Sequence, residues 1–99
     1  METKELIKNI VEEILADSDS KYITEIFIQD YSFNNGKYSN LIELMIETDL
    51  NFKNTTLYDC IFDLEEENYP FELRISIEPD TVERGHGIVL WKRGQGYLL

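Results

Sequence analysis

The chain has 99 residues, including 20 Asp or Glu and nine Lys or Arg, and its formal net charge at pH 7 is −11. A charge this negative disfavours direct binding to nucleic acid or to anionic membranes, and it exceeds the magnitude of about 2 to 8 that suffices for solubility. Hydrophobic residues at 42% and aromatic residues at 12% exclude a disordered acidic tail and indicate one globular domain over residues 1–99.

The first element predicted is an amphipathic helix over residues 2–16. Its apolar residues recur at the spacing of one helical face, and most of its charged residues fall on the other face. The polar run at residues 17–20 ends the helix, because short polar side chains compete for backbone hydrogen bonds. The residues predicted to face the core are Leu6, Ile7, Ile10, Val11, Ile14 and Leu15.

Two strands are predicted next, at residues 22–31 and 38–49, joined through Asn35-Gly36. A two-residue loop would place Ile28 opposite Glu43 and mix the faces of the sheet. A three-residue loop with a left-handed Gly36 gives one apolar face, so we predict that loop. Its cross-strand pairs are Ile28 with Ile42, Ile26 with Leu44 and Thr24 with Ile46.

The segment 55–67 fits either a helix or a strand. As a helix it places Leu57, Ile61 and Leu64 on one stripe, and as a strand it also alternates. Glu65–Glu67 weigh against the helix, because they would lie at the negative end of its dipole. We favour the helix.

Two more strands are predicted, at residues 70–78 and 87–93. The first alternates clearly, with Phe71, Leu73, Ile75 and Ile77 on one side. The order αββαββ predicts a small α+β domain, with an antiparallel sheet of about four strands and both helices on one face. The alternative is one helix followed by a five-stranded antiparallel meander.

No enzymatic motif or metal site is predicted. His86 lies between glycines and is typical of an exposed turn, and neither a P-loop nor a dinucleotide pattern is present. One His and one Cys cannot supply the four ligands of a structural zinc site. Glu47-Thr48-Asp49 places two acids on one strand face without an EF-hand spacing. We therefore expect no cofactor.

The lone Cys60 cannot form an internal disulfide, and no basic stretch followed by an apolar run opens the chain, so we expect no signal peptide. No apolar run approaches the ~20 residues that span a bilayer. We expect a cytoplasmic protein, located in the host cytoplasm if a phage encodes it. Cys60 is expected to be a buried, inert thiol.

The candidate partner-binding surface is a set of acidic residues with apolar residues among them. On the hairpin, residues two apart on one face are separated by about 6.6 Å, a step comparable to that between successive phosphates of a nucleic acid. Acids of the segment 55–67 extend this surface, and the alternative is a merely solvated face. The predicted residues are Glu25, Phe27, Glu43, Met45, Glu47, Asp49, Asp59, Asp63 and Glu66.

The stretch 25–47 resembles minimal nucleotidyltransferases of the antitoxin type, which pair a short strand, a Gly-Ser turn and a later Asp-x-Asp on a strand. Residues 80–91 resemble the end of such domains. Here residues 29–30, Gln-Asp, take the Gly-Ser place, and Leu41 and Glu43 take the places of the two aspartates. The resemblance therefore implies a catalytically dead binder, because phosphate seating and two-metal chemistry need those residues.

The function predicted is that of a small non-enzymatic inhibitor that docks an acidic face on a basic, nucleic-acid-binding partner such as a nuclease. Immunity proteins, antitoxins and phage anti-defence factors such as anti-CRISPRs are of this kind. The alternative is a degenerate nucleotidyltransferase-like antitoxin or a divergent metal-dependent transferase that uses Glu43, Glu47 and Asp49. An assembly subunit whose charge only keeps it soluble is a third possibility.

Overall fold

A computed structural model describes residues 2–49, 56–79 and 87–98, and the statements below concern these residues. The helices are α1 (Thr3–Leu15) and α2 (Thr56–Glu66), with short 3₁₀ helices at Ser18–Tyr22 and Asp30–Ser32. The strands are β1 (Ile23–Gln29), β2 (Phe33–Asn34), β3 (Lys37–Tyr38), β4 (Leu41–Thr48), β5 (Glu72–Pro79), β6 (Gly87–Lys92) and β7 (Gly96–Tyr97).

Both helices form where the hydrophobic spacing predicts them. The apolar stripes of the two helices are buried against the same face of the sheet. Since a helix needs tertiary packing of its apolar face to be stable at this length, this burial holds both in place. The residues that face the sheet are Ile7, Ile10, Val11 and Ile14 of α1 and Leu57, Ile61 and Leu64 of α2. Neither helix is long and apolar enough to cross a bilayer.

The main sheet has five strands in the order β5-β4-β1-β6-β7. The strand β1 pairs antiparallel with β4 on one side and with β6 on the other, whereas β4 and β5 are parallel. The α+β class and the order of the long elements are confirmed, but the sheet is mixed and not wholly antiparallel. A parallel neighbour requires a crossover connection, and α2 lies between β4 and β5 in the chain.

The turn between the first two predicted strands differs from the prediction. Asn35 and Gly36 both have positive φ, at 55° and 77°, and the flanking pairs are Phe33–Tyr38 and Asn34–Lys37. This is a two-residue loop with the geometry of a type I′ turn, so the predicted three-residue loop is wrong. It closes only the short β2–β3 hairpin.

The main strands keep the predicted apolar face although their partners differ. In β1 and β4 the pairs are Ile26–Ile46 and Ile28–Leu44. Between the pair Ile28–Leu44 and the hairpin pair Phe33–Tyr38, the chain has residues 29–32 on the first side and residues 39–43 on the second, one residue more. A one-residue shift exchanges the faces of a strand. The extra residue therefore keeps apolar residues opposite apolar residues in β1 and β4, whereas a two-residue loop alone would place them opposite charged residues.

Side-chain contacts stabilise that irregular connection. The buried hydroxyl Oγ of Ser32 accepts a hydrogen bond of 3.0 Å from the Glu43 N–H, and the Ser39 N–H donates to the Ser32 carbonyl at 2.9 Å. Because Ser32 is fully buried, unpaired N–H groups beside it would cost stability. The serine provides acceptors for the N–H groups of Glu43 and Ser39.

The strand β5 forms one edge of the sheet, and α2 protects it. The Glu72 N–H donates to the Asn40 carbonyl next to β4 at 2.7 Å. Successive residues of a strand point their N–H groups in opposite directions, so the Ile75 N–H is directed away from β4. It donates to Glu65 Oε2 at 2.9 Å. Of the acids that argued against the helix, Glu65 thus has a tertiary role, whereas Glu67 makes a local contact and accepts from the Tyr69 hydroxyl at 2.6 Å.

We expect Glu65→Ala to lower the free energy of unfolding by about 1 to 2 kcal/mol, because the Ile75 N–H then loses a charged acceptor. Urea denaturation measures this change, and amide hydrogen exchange at Ile75 should accelerate. Glu66→Ala is the matched control, since it removes the same charge from an exposed neighbour on α2. Equal stability and exchange in the two variants would contradict the role of Glu65.

Candidate functional site

The hairpin residues predicted to bind a partner lie on the face of the main sheet turned away from the helices. Register pairs place Glu25 opposite Glu47 and Phe27 opposite Met45. The alternation of strand residues puts Glu43 on the same face. The structure therefore brings these five side chains together, as the pattern predicts.

Three of the five are buried, however. Glu25 and Glu47 are each 8% exposed, and Phe27 is 1% exposed. The Phe27 ring lies against Gly87, where an added Cβ would come within 2.5 Å of the ring atom Cδ2. This part of the predicted surface is therefore packed like an interior, and we correct the expectation that it faces solvent.

Two acids of that face have a basic residue as their register partner on the neighbouring strand. Glu25 pairs across strands with Lys92 on its β6 side. Glu43 is the register partner of Arg74, and a hydrogen bond with Glu43, together with burial, raises the pKa of Tyr31 to about 12. These neighbours reduce the negative field that the face presents to another molecule.

Asp49 forms an ion pair within the chain. The Arg93 guanidinium lies 3.2 Å from Asp49 Oδ2. It also donates to the backbone carbonyls of Ile23 at 3.0 Å and Lys21 at 2.8 Å. Asp49 thus belongs to an arginine-centred network at the end of β4 and is not part of an open acidic surface.

The predicted residues Asp59, Asp63 and Glu66 lie elsewhere, on the helical layer. All three are exposed on α2, and the described chain offers none of them an ion-pair partner. The helices α1 and α2 cover the opposite face of the sheet from Glu25 and Glu47. The predicted set is therefore divided between two layers of the domain.

Asp59 and Asp63 also line a cleft of about 540 Å³ between the end of α1 and α2. Three further acids, Glu13, Asp17 and Glu67, complete its rim. The Thr56 hydroxyl lies 3.0 Å from Asp17 Oδ1 and orients that carboxylate. The residues that line the cleft include no Lys or Arg among those described. Five carboxylates around one cleft create a local negative potential.

Cys60 lies in this cleft. Burial, and then the nearby charges of Asp17, Glu13 and Asp63, raise the pKa of the Cys60 thiol. The thiol lies 3.9 Å from the Glu13 carbonyl. Cys60 is half-buried, less than the buried position predicted for it. A raised pKa favours the protonated thiol, which is a poor nucleophile.

The sequence interpretation missed two aromatic residues of the same helix. Phe62 is 66% exposed and Tyr58 is 44% exposed. The helical spacing that turns Leu57 and Ile61 toward the core leaves these two outside, so the pattern could have identified them once the helix was accepted.

The described ranges contain no group of three or more His, Cys, Asp or Glu side chains arranged to hold a metal ion. His86 and residues 80–84, which entered the sequence interpretation, lie outside the described residues. No protein-family model matches the chain, and neither a curated protein nor a solved structure matches it.

Proposed function

We propose that this protein is a small non-enzymatic inhibitor that binds a basic, nucleic-acid-binding partner, and that the helical layer is its contact surface. Immunity proteins, antitoxins and phage anti-defence factors act in this general way. The observation that carries the proposal is the concentration of exposed carboxylates on α2 and around the α1–α2 cleft, with no Lys or Arg in α2.

Spacing on the helix supports mimicry of a polyanion. Asp59 and Asp63 are four residues apart on α2, and four residues of an α-helix rise about 6 Å. Carboxylates at this interval on a rigid element offer charges at a spacing similar to that of phosphates. The sheet acids support the proposal less, because they are buried or lie beside cations of the same chain.

A strong negative charge increases the rate at which the protein meets a basic partner as well as the affinity of the complex. A net charge of −11 attracts a basic surface over about a Debye length, roughly 10 Å at 0.1 M salt. The affinity of the complex should therefore fall steeply as salt rises. This behaviour separates polyanion mimicry from an interface held by apolar contacts alone.

The test is affinity capture on the immobilised full-length protein, followed by elution with salt or with excess DNA or RNA. We expect a basic protein to be retained at low salt, released by both eluents, and blocked from binding nucleic acid while it is held. A partner that stays bound at 0.5 M salt and still binds nucleic acid would reject the proposal. Calorimetric titration with Mg²⁺ and ATP serves as the control for a transferase activity, where heat would favour the enzyme.

A further inference from the structure

The exposed side of α2 combines two aromatic rings with three carboxylates. We call this the α2 face and define it as Tyr58, Asp59, Phe62, Asp63 and Glu66. Phe62 is 66% exposed and Tyr58 is 44% exposed, four residues apart on the helix. Two rings on adjacent turns form a patch, whereas single apolar residues on a surface are ordinary.

The helix brings rings and carboxylates within reach of one another. Residues three or four apart on a helix are neighbours, with Cβ atoms about 5 to 6 Å apart. Phe62 is therefore adjacent to Tyr58, to Asp59 one turn before it and to Glu66 one turn after it. A planar cation placed on the Phe62 ring can reach a carboxylate on either side with its hydrogen-bond donors.

We propose that the α2 face binds arginine side chains of the partner, with guanidinium groups stacked on Phe62 and Tyr58 and hydrogen-bonded to Asp59, Asp63 or Glu66. This inference rests on the proposed function and specifies the chemistry of the partner surface. Arginine fits better than lysine, because its flat guanidinium stacks on rings and its forked donors match a carboxylate in two-point contact.

Another exposed aromatic residue shows why the α2 face is distinctive. Tyr31 is 51% exposed on the other side of the sheet, and its hydroxyl is hydrogen-bonded with Glu43 near Arg74. A cation of the same chain already lies there. On α2 the acids Asp59 and Asp63 form no ion pair with a Lys or Arg of the described ranges, so their carboxylates can accept from an incoming arginine.

The experiment measures binding of two probes, a deca-arginine and a deca-lysine peptide, to the full-length protein by calorimetry at low salt. We expect the arginine peptide to bind more tightly. Phe62→Ala should weaken arginine binding by about two- to fivefold, the worth of one exposed cation–π contact, and weaken lysine binding less, because the ammonium has no flat surface to stack on the ring. Asp59→Asn with Asp63→Asn should weaken both peptides. The change in arginine preference is the readout that charge alone would not produce.

Matched controls lie on the opposite layer. Tyr31→Ala removes an exposed ring, and we expect it to reduce binding less than Phe62→Ala does. Glu43→Gln with Glu72→Gln removes two charges, and we expect it to reduce binding less than the double change on α2 does. Circular dichroism melts establish that each variant folds. As a measurement without mutation, amide chemical shifts should move mainly in α2 when the arginine peptide binds.

The outcomes separate the two proposals. If binding is salt-dependent but the preference for arginine is unchanged in Phe62→Ala, or if shifts concentrate on the sheet, the α2 inference fails and the proposed function stands. If neither peptide binds at low salt, both fail.

Discussion

Phe27→Ala is expected to lower the free energy of unfolding by about 3 to 5 kcal/mol. Phe27 is 1% exposed and lies between Met45 of β4 and Val89 of β6 as a cross-strand neighbour of both. Removing the ring loses its buried apolar area. It also leaves a cavity that cannot collapse easily, because β4 and β6 hold β1 in place on both sides. For a domain whose total stability is about 5 to 15 kcal/mol, this is a large fraction.

Urea denaturation followed by circular dichroism measures this effect, and Phe62→Ala is the matched control. The same atoms are removed there from a side chain that is 66% exposed, so we expect a change within about 0.5 kcal/mol. A similar loss of stability in both variants would show that Phe27 is not packed as the structure has it. The pair also tests whether Phe27 is packed in the interior and not exposed on an open binding surface.

The second large effect is expected at Gly87, which is the register partner of Gln29 and lies against the Phe27 ring. An alanine Cβ at this position would lie 2.5 Å from Phe27 Cδ2 and 2.8 Å from the Ile28 carbonyl oxygen. The ring could shift, but the carbonyl belongs to the backbone of a central strand. We therefore expect Gly87→Ala to destabilise the fold by about 1 to 3 kcal/mol.

A double-mutant cycle separates the two contacts. In the Phe27→Ala background the ring is absent and only the Ile28 oxygen remains close, so Gly87→Ala should cost about 1 kcal/mol less than in the wild type. Denaturation of the four proteins provides the coupling energy. Additive effects would mean that the ring and the glycine do not share space, contrary to the close approach in the structure.

The elements themselves could be predicted from the chain because their patterns are local. The 3.6-residue spacing of Ile7, Ile10, Val11 and Ile14 needs no information from outside α1. The same holds for the alternation that places Ile26 and Ile28 on one face and Glu25 and Phe27 on the other. These predictions depend only on neighbours within a few residues, and they are confirmed.

The register and direction of the strands could not be predicted in the same way. The wrong loop at Asn35-Gly36 followed from the assumption that one turn sets the pairing of the whole hairpin. The 3₁₀ helix Asp30–Ser32 and the extra residue within 39–43 separate the turn from the pairing of β1 with β4. The parallel pairing of β4 with β5 likewise depends on where a distant segment finds an edge.

The candidate site shows the same division. Composition and charge placement determined that the chain is strongly acidic and that acids lie on both the hairpin and α2. Only the tertiary structure decided which of them stay exposed, because burial of Glu25 and Glu47 and pairing of Asp49 with Arg93 arise from strands and side chains far apart in the chain. Whether a carboxylate can attract a cation of another molecule depends on the charges and the solvent around it in three dimensions. The spacing of residues along the sequence does not give either.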